Sequence, residues 1–164
     1  MAMALLIARL AIGLGMAVHG AQKLFGWFGG YGLAGTGGFF DTMGFRPGRV
    51  FAFLAGAAEV GSGLLVALGL LGPIGPALMI LVMIVAIFSA HWKHGFLAAN
   101  NGFEIPMLYG AGALALAFSG PGAYSVDTLL GVPGRWTAPS IWVLVGGAVV
   151  AAAANLVVRR VQAG

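Results

Sequence analysis

Apolar runs long enough to cross a bilayer recur along this 164-residue chain, and almost no charge interrupts them. A spanning helix needs about 20 mostly apolar residues. Residues 4–27, 50–71, 74–91, 104–119 and 141–158 meet or approach that length. Charged residues make up only 7% of the chain, against about 25% in a soluble domain. So few charges cannot coat a water-facing surface, and lipid must be the solvent. The expectation is an all-α transmembrane helical bundle. A four-helix core would occupy residues 1–131, and residues 132–164 would supply a connector and a fifth, C-terminal span. That fifth run is the weakest of the set, because Ala and Gly dominate it. The first run outlasts the h-region of a signal peptide and no cleavage site follows it, so it reads as a retained span.

Between the runs lie recognisable breaks. A Gly- and aromatic-rich loop covers residues 28–48, where Phe39, Phe40, Met43 and Phe45 could form one face of a short interfacial helix. Gly72-Pro73-Ile74-Gly75-Pro76 makes a hairpin of the second and third spans. A polar loop at 92–103 carries Lys93, His94, Asn100 and Asn101. Gly120-Pro121-Gly122 ends the fourth span, and the connector after it holds Asp127, Pro133 and Arg135. Five spans would set Lys23, Arg46, Arg49, Lys93, Arg159 and Arg160 toward one side. Arg135 belongs to the other, with Arg9 if it snorkels as an anchor. By the positive-inside rule the C-terminus is cytoplasmic and the N-terminus outside, in the cell (inner) membrane. Although the net charge is +4, the basic residues form no stripe interleaved with aromatics, so no nucleic acid partner is expected. The chain has no cysteine, which removes thiolate metal sites, Cys-ligated Fe–S clusters and thiol–disulfide chemistry.

Ionisable groups inside a bilayer are rare and need a partner or a purpose. On the first span Ala11, Gly15, His19 and Lys23 recur every four residues, and on the second Ala55, Glu59, Gly63 and Ala67 do the same. Small residues let membrane helices approach closely, so both rows read as helix contacts with their polar members turned inward. His19 lies about 12 Å inside Trp27, and Glu59 about 15 Å inside Arg49, at the helical rise. Both depths are measured from the same side, so the two groups can meet. The expected site is a polar pocket with His19 and Glu59 at its floor and Lys23 beside them. His91 or Glu104 would link it to water, and His94 lies near the same surface. Such a pocket suits proton handling or a quinone headgroup, since imidazole and carboxylate exchange protons readily. The alternative is that Glu59 pairs with His19 or Lys23 only to hold two helices in register.

Trp27, Phe28, Tyr31, Phe39, Phe40 and Phe45 could line a place for a flat lipophilic ligand. The simpler reading is an aromatic belt with loop packing. No metal is expected, because closed sites need about four ligands and His91 and His94 sit beside Trp92 and Lys93 in the headgroup zone. Haem is not expected either: its two imidazoles must face each other at similar depth, whereas His19 reads as deep and His91 as shallow. Gly35-Thr36-Gly37-Gly38 has no strand–helix unit around it, and no flavin or nucleotide motif is present.

These motifs together resemble the DoxX family of small integral membrane proteins. His19-Gly20-Ala21-Gln22-Lys23-Leu24-Phe25-Gly26 with Gly29-Gly30 is similar to its first-helix signature, and Phe39-Phe40 with Gly44-Phe45-Arg46-Pro47-Gly48 to its first loop. Gly56-Ala57-Ala58-Glu59-Val60-Gly61-Ser62-Gly63 resembles its second helix, and His91 with Gly95-Phe96 its third. Gly120-Pro121-Gly122-Ala123-Tyr124-Ser125-Val126-Asp127 resembles its Gly-Pro-Gly-x-Tyr-Ser-Leu-Asp ending. The resemblance spans about residues 5–130 and implies a four-helix membrane core. It also implies a redox setting, since the family is named for a subunit of a quinone-reducing, sulfur-oxidising membrane complex. His19, Lys23, Glu59 and His91 match the family's polar positions.

The functional expectation is an integral membrane subunit associated with quinone-linked redox chemistry. His19, Glu59 and Lys23 would be its reactive groups, and His91, Glu104, Trp27 and Phe40 its cofactor contacts. A protein partner would supply the electrons. The alternative is a non-catalytic accessory or assembly subunit of a larger membrane complex, or a homo-oligomer. A transporter is weaker, since five spans leave little room for two inverted halves.

Overall fold

The computed structural model describes residues 1–132 and 135–163, apart from the side chains of 160–163. Pro133 of the connector and the side chain of Arg160 therefore lie outside the described residues. Among the described residues every regular element is helical: α1 (Ala2–Phe25), α2 (Gly32–Thr42), α3 (Gly48–Leu68), α4 (Ile74–Ala86), α5 (Glu104–Ser119), α6 (Val126–Leu129) and α7 (Ala138–Ala163). Among the described residues four stretches are long and apolar enough to cross a membrane: Ala2–Phe25, Gly48–Leu68, Ile74–His94 and Ala138–Arg159. The chain is a multi-pass, all-α membrane protein. The fifth apolar run, discounted for its Ala and Gly, is one of these four, because Val, Leu and Ile fill the positions between. The short helix is α5, whose 16 residues rise about 24 Å against a hydrocarbon core of about 30 Å.

Helix ends follow local chemistry. Gly26 (φ 73°) and Gly69 (φ 63°) take the left-handed conformation that stops α1 and α3, a position glycine occupies without a Cβ penalty. The expected interfacial helix exists as α2, but it ends at Thr42, and Phe45 instead turns inward to 1% exposure.

The closest pairing is between α1 and α3, which run antiparallel. A Cβ on Gly20 would sit 2.6 Å from the Gly56 carbonyl oxygen, and one on Gly63 would sit 2.5 Å from that of Gly13. Only hydrogen at these positions lets the two backbones meet. The expected i+4 row on α1 is corrected here: Ala11 is exposed, and Gly15 faces the Tyr109 ring of α5. Steps of four drift about 40° around a helix each time, whereas steps of seven return within about 20°. Gly13 and Gly20, like Gly56 and Gly63, are seven apart and stay on the seam. On α3 the expected Gly63 and Ala67 do pack against α1, while Ala55 faces a cavity.

α4 lies against α3, α5 and α7 around a core containing Met16, Val66, Met79, Met83, Leu116 and Ile141. At the bundle end where α3 turns into α4, polar groups serve the backbone. The buried Asp127 carboxylate accepts the Leu71 and Gly72 amides at 3.0 and 2.7 Å, which closes the hairpin turn. Arg9 is also corrected: it does not snorkel. It is 3% exposed, and its guanidinium donates to the carbonyl oxygens of Pro121 and Tyr124. Carbonyls released by the Gly-Pro-Gly break need donors, and in lipid no water supplies them.

The glycine seam yields a paired test. Gly63→Ala should destabilise by about 1–3 kcal/mol through overpacking. Gly61→Ala on the same helix, where a Cβ meets nothing within 4 Å, should be neutral or gain up to about 1 kcal/mol. Thermal unfolding of both variants in mild detergent checks the contrast.

Candidate functional site

Lys23 stands in the last turn of α1 and Glu59 in the middle of α3. The antiparallel seam brings them level. Lys23 Nζ donates to both carboxylate oxygens of Glu59, at 2.8 and 2.6 Å. Glu59 is 3% exposed, so its charge depends on this partner, while the Lys23 side chain keeps 27% exposure.

His19 sits one turn before Lys23 but bonds elsewhere. Its Nδ1 lies 3.2 Å from Gln22 Oε1, and its ring meets Tyr109 edge-on at 5.7 Å. The Gln22 amide nitrogen donates to the Phe28 carbonyl at 3.2 Å, which leaves its oxygen to accept. In the neutral ring this network places the His19 proton on Nδ1 and leaves Nε2 to accept. His91 is wired the same way, with Nδ1 2.8 Å from the Asn101 carbonyl oxygen. It ends a π-helical turn, Ile87–His91, that interrupts the α geometry of the third span. Such turns re-aim side chains and recur at functional sites. The reading by helical depth set His91 nearer the surface of the same pocket as His19 and did not foresee the turn.

The four polar residues His19, Lys23, Glu59 and His91 line two cavities at once. The larger, about 830 Å³, is walled by aromatic side chains including Phe39, Phe40, Phe45 and Phe51. The smaller, about 290 Å³, lies toward α5 and is lined by Tyr109, Pro106 and Asn101 among others. The larger falls within the roughly 300–1,000 Å³ of small-molecule sites, and its apolar walls with a few convergent polar groups match their usual make-up.

Of the residues expected from sequence, His19, Lys23, Glu59, His91 and Phe40 come together here. Trp27 and Glu104 do not. Trp27 follows the left-handed Gly26, packs on Phe25 at 4.9 Å and is 60% exposed. The Glu104 carboxylate accepts the Ala98 amide at 2.8 Å and so braces the loop ahead of α5. His94 is exposed, and among the described residues no three His, Asp or Glu side chains converge as metal ligands. Tyr109, Thr36 and Asn155 were not singled out from sequence. For Asn155 a signal existed, since it is the sole polar residue between Ser140 and Arg159.

Breaking the ion pair from one side leaves a carboxylate stranded, whereas removing both charges does not. Lys23→Met should cost about 3 kcal/mol, the low end for a buried pair because the lysine is partly exposed. Adding Glu59→Leu to it should recover most of that loss. Thermal unfolding of the single and double variants in detergent measures the coupling.

A family model described as DoxX matches residues 4–92, a stretch that carries His19, Lys23, Phe40, Glu59 and His91 and stops short of Tyr109 and Asn155. No curated protein and no solved structure matches the chain.

Proposed function

The chain belongs to the DoxX family, and from that premise we propose that it is an integral membrane subunit in which a quinone binds and exchanges protons. The observation that carries this reading is the large cavity's lining, which combines aromatic side chains with the polar His19, Lys23, Glu59 and His91. A quinone is a flat, lipophilic ring whose carbonyl oxygens need donors. The Lys23 ammonium supplies one, with its charge held in place by Glu59.

Reducing a quinone to a quinol takes two electrons and two protons. In this proposal the electrons come from a protein partner, and the protons pass through the polar cluster. His19 and His91 each keep a basic Nε2 once Nδ1 is committed, as a relay requires. The smaller cavity, reaching the loop at Asn101, gives that relay a route to water. The excess of Lys23, Arg46, Arg49, Lys93 and Arg159 near this end supports a cytoplasmic opening, with the N-terminus outside, in the cell membrane.

A second reading rests on the same ion pair. With both Glu59 oxygens taken by Lys23, the pair locks α1 to α3 with no ligand involved. The protein would then be an accessory or assembly subunit of a larger membrane complex.

Purification in mild detergent followed by solvent extraction separates the two. The redox reading expects quinone to copurify near one per chain, and Glu59→Gln to lower its occupancy at least about tenfold with the fold retained. Quinone-free wild-type protein, recovered in a stoichiometric complex, would establish the accessory role instead.

A further inference from the structure

α7 lies outside the stretch matched by the family model, yet it walls the large cavity through one residue, Asn155. An amide inside a membrane span is costly unless bonded, because lipid offers neither donor nor acceptor. Asn carries two N–H donors and a carbonyl oxygen with two lone pairs. Among the described residues the Asn155 side chain makes no hydrogen bond, although it is only partly exposed and borders the cavity.

Its position is not left to chance. One turn further on, Arg159 donates through Nε to the Met43 carbonyl at 2.6 Å, and its guanidinium lies 5.8 Å from the centre of the Phe45 ring. A weaker contact of 3.5 Å reaches the Phe88 carbonyl. Residues four apart share a helix face, so the contacts that tie Arg159 to the α2–α3 loop also turn Asn155 toward the cavity.

We infer that Asn155 is a ligand-binding residue of the large cavity, whose unspent amide takes a second polar group of the ligand besides the one at Lys23. The inference rests on the quinone reading and narrows it. A ligand held from α1 at one point and from α7 at another needs two separated hydrogen-bonding groups on an apolar frame. A 1,4-quinone, with carbonyls at opposite ring positions, offers two such groups.

The test titrates the full chain in detergent with decylubiquinone, a short-tailed 1,4-quinone, by isothermal calorimetry. Asn155→Leu should bind about tenfold more weakly, equivalent to about 1.4 kcal/mol. Its melting temperature without quinone should be equal or higher, since an unbonded amide is being replaced by an apolar side chain in lipid. Unchanged affinity in Asn155→Leu, with wild type binding, would overturn the inference and leave the quinone reading standing. A lower melting temperature, whatever the affinity, would assign the amide to helix packing and overturn it too. Wild-type protein that does not bind decylubiquinone sinks both.

Discussion

A carboxylate as buried as Glu59 needs a partner for its charge, and this need governs the architecture around it. The Lys23 ammonium must reach it from a different helix, at hydrogen-bond distance to both oxygens. That reach depends on how near α1 and α3 can come, and the limit is set by bare glycines at Gly13, Gly20, Gly56 and Gly63. Seam and ion pair therefore support each other. Close backbones bring the charges together, and the paired charges allow an acidic residue to remain on a buried helix face.

Polar groups elsewhere divide into those spent on the backbone and those kept in reserve. Around the α3–α4 turn Asp127 holds two turn amides and Arg9 holds two carbonyls, so this end has a structural character. Around the cavities the pattern differs. His19 and His91 commit one ring nitrogen each, and Asn155 commits nothing among the described residues. Satisfied groups rigidify, while groups with free valence can meet a ligand.

Much of the site could be read in advance because membrane residence makes an ionisable residue conspicuous. Glu59, Lys23 and His19 stand out against apolar neighbours, and their spacing from the flanking Trp27 and Arg49 sets their depth. The pairing was less legible. Depth and periodicity allowed His19 or Lys23 as the partner of Glu59, and only the azimuth of each helix selects lysine. Trp27 looked like a cavity residue until the left-handed Gly26 carried it outward. Glu104 looked like a proton route until the loop amide of Ala98 claimed it. Arg9 has its partners 112 and 115 residues away, a distance no local pattern spans.

By itself, then, the order of residues determined the lipid solvent, the helical class, the places where the chain breaks and the burial of Glu59. Each of these follows from local transfer and conformational energies. Tertiary packing alone decided which faces met: that glycines seven apart form the seam, that lysine rather than histidine pairs with Glu59, and that α7 adds Asn155 to the wall of the larger cavity. The reason is geometric. A few degrees of helix rotation decide whether a side chain meets a partner, a cavity or lipid, and that rotation is set by contacts summed over the whole bundle.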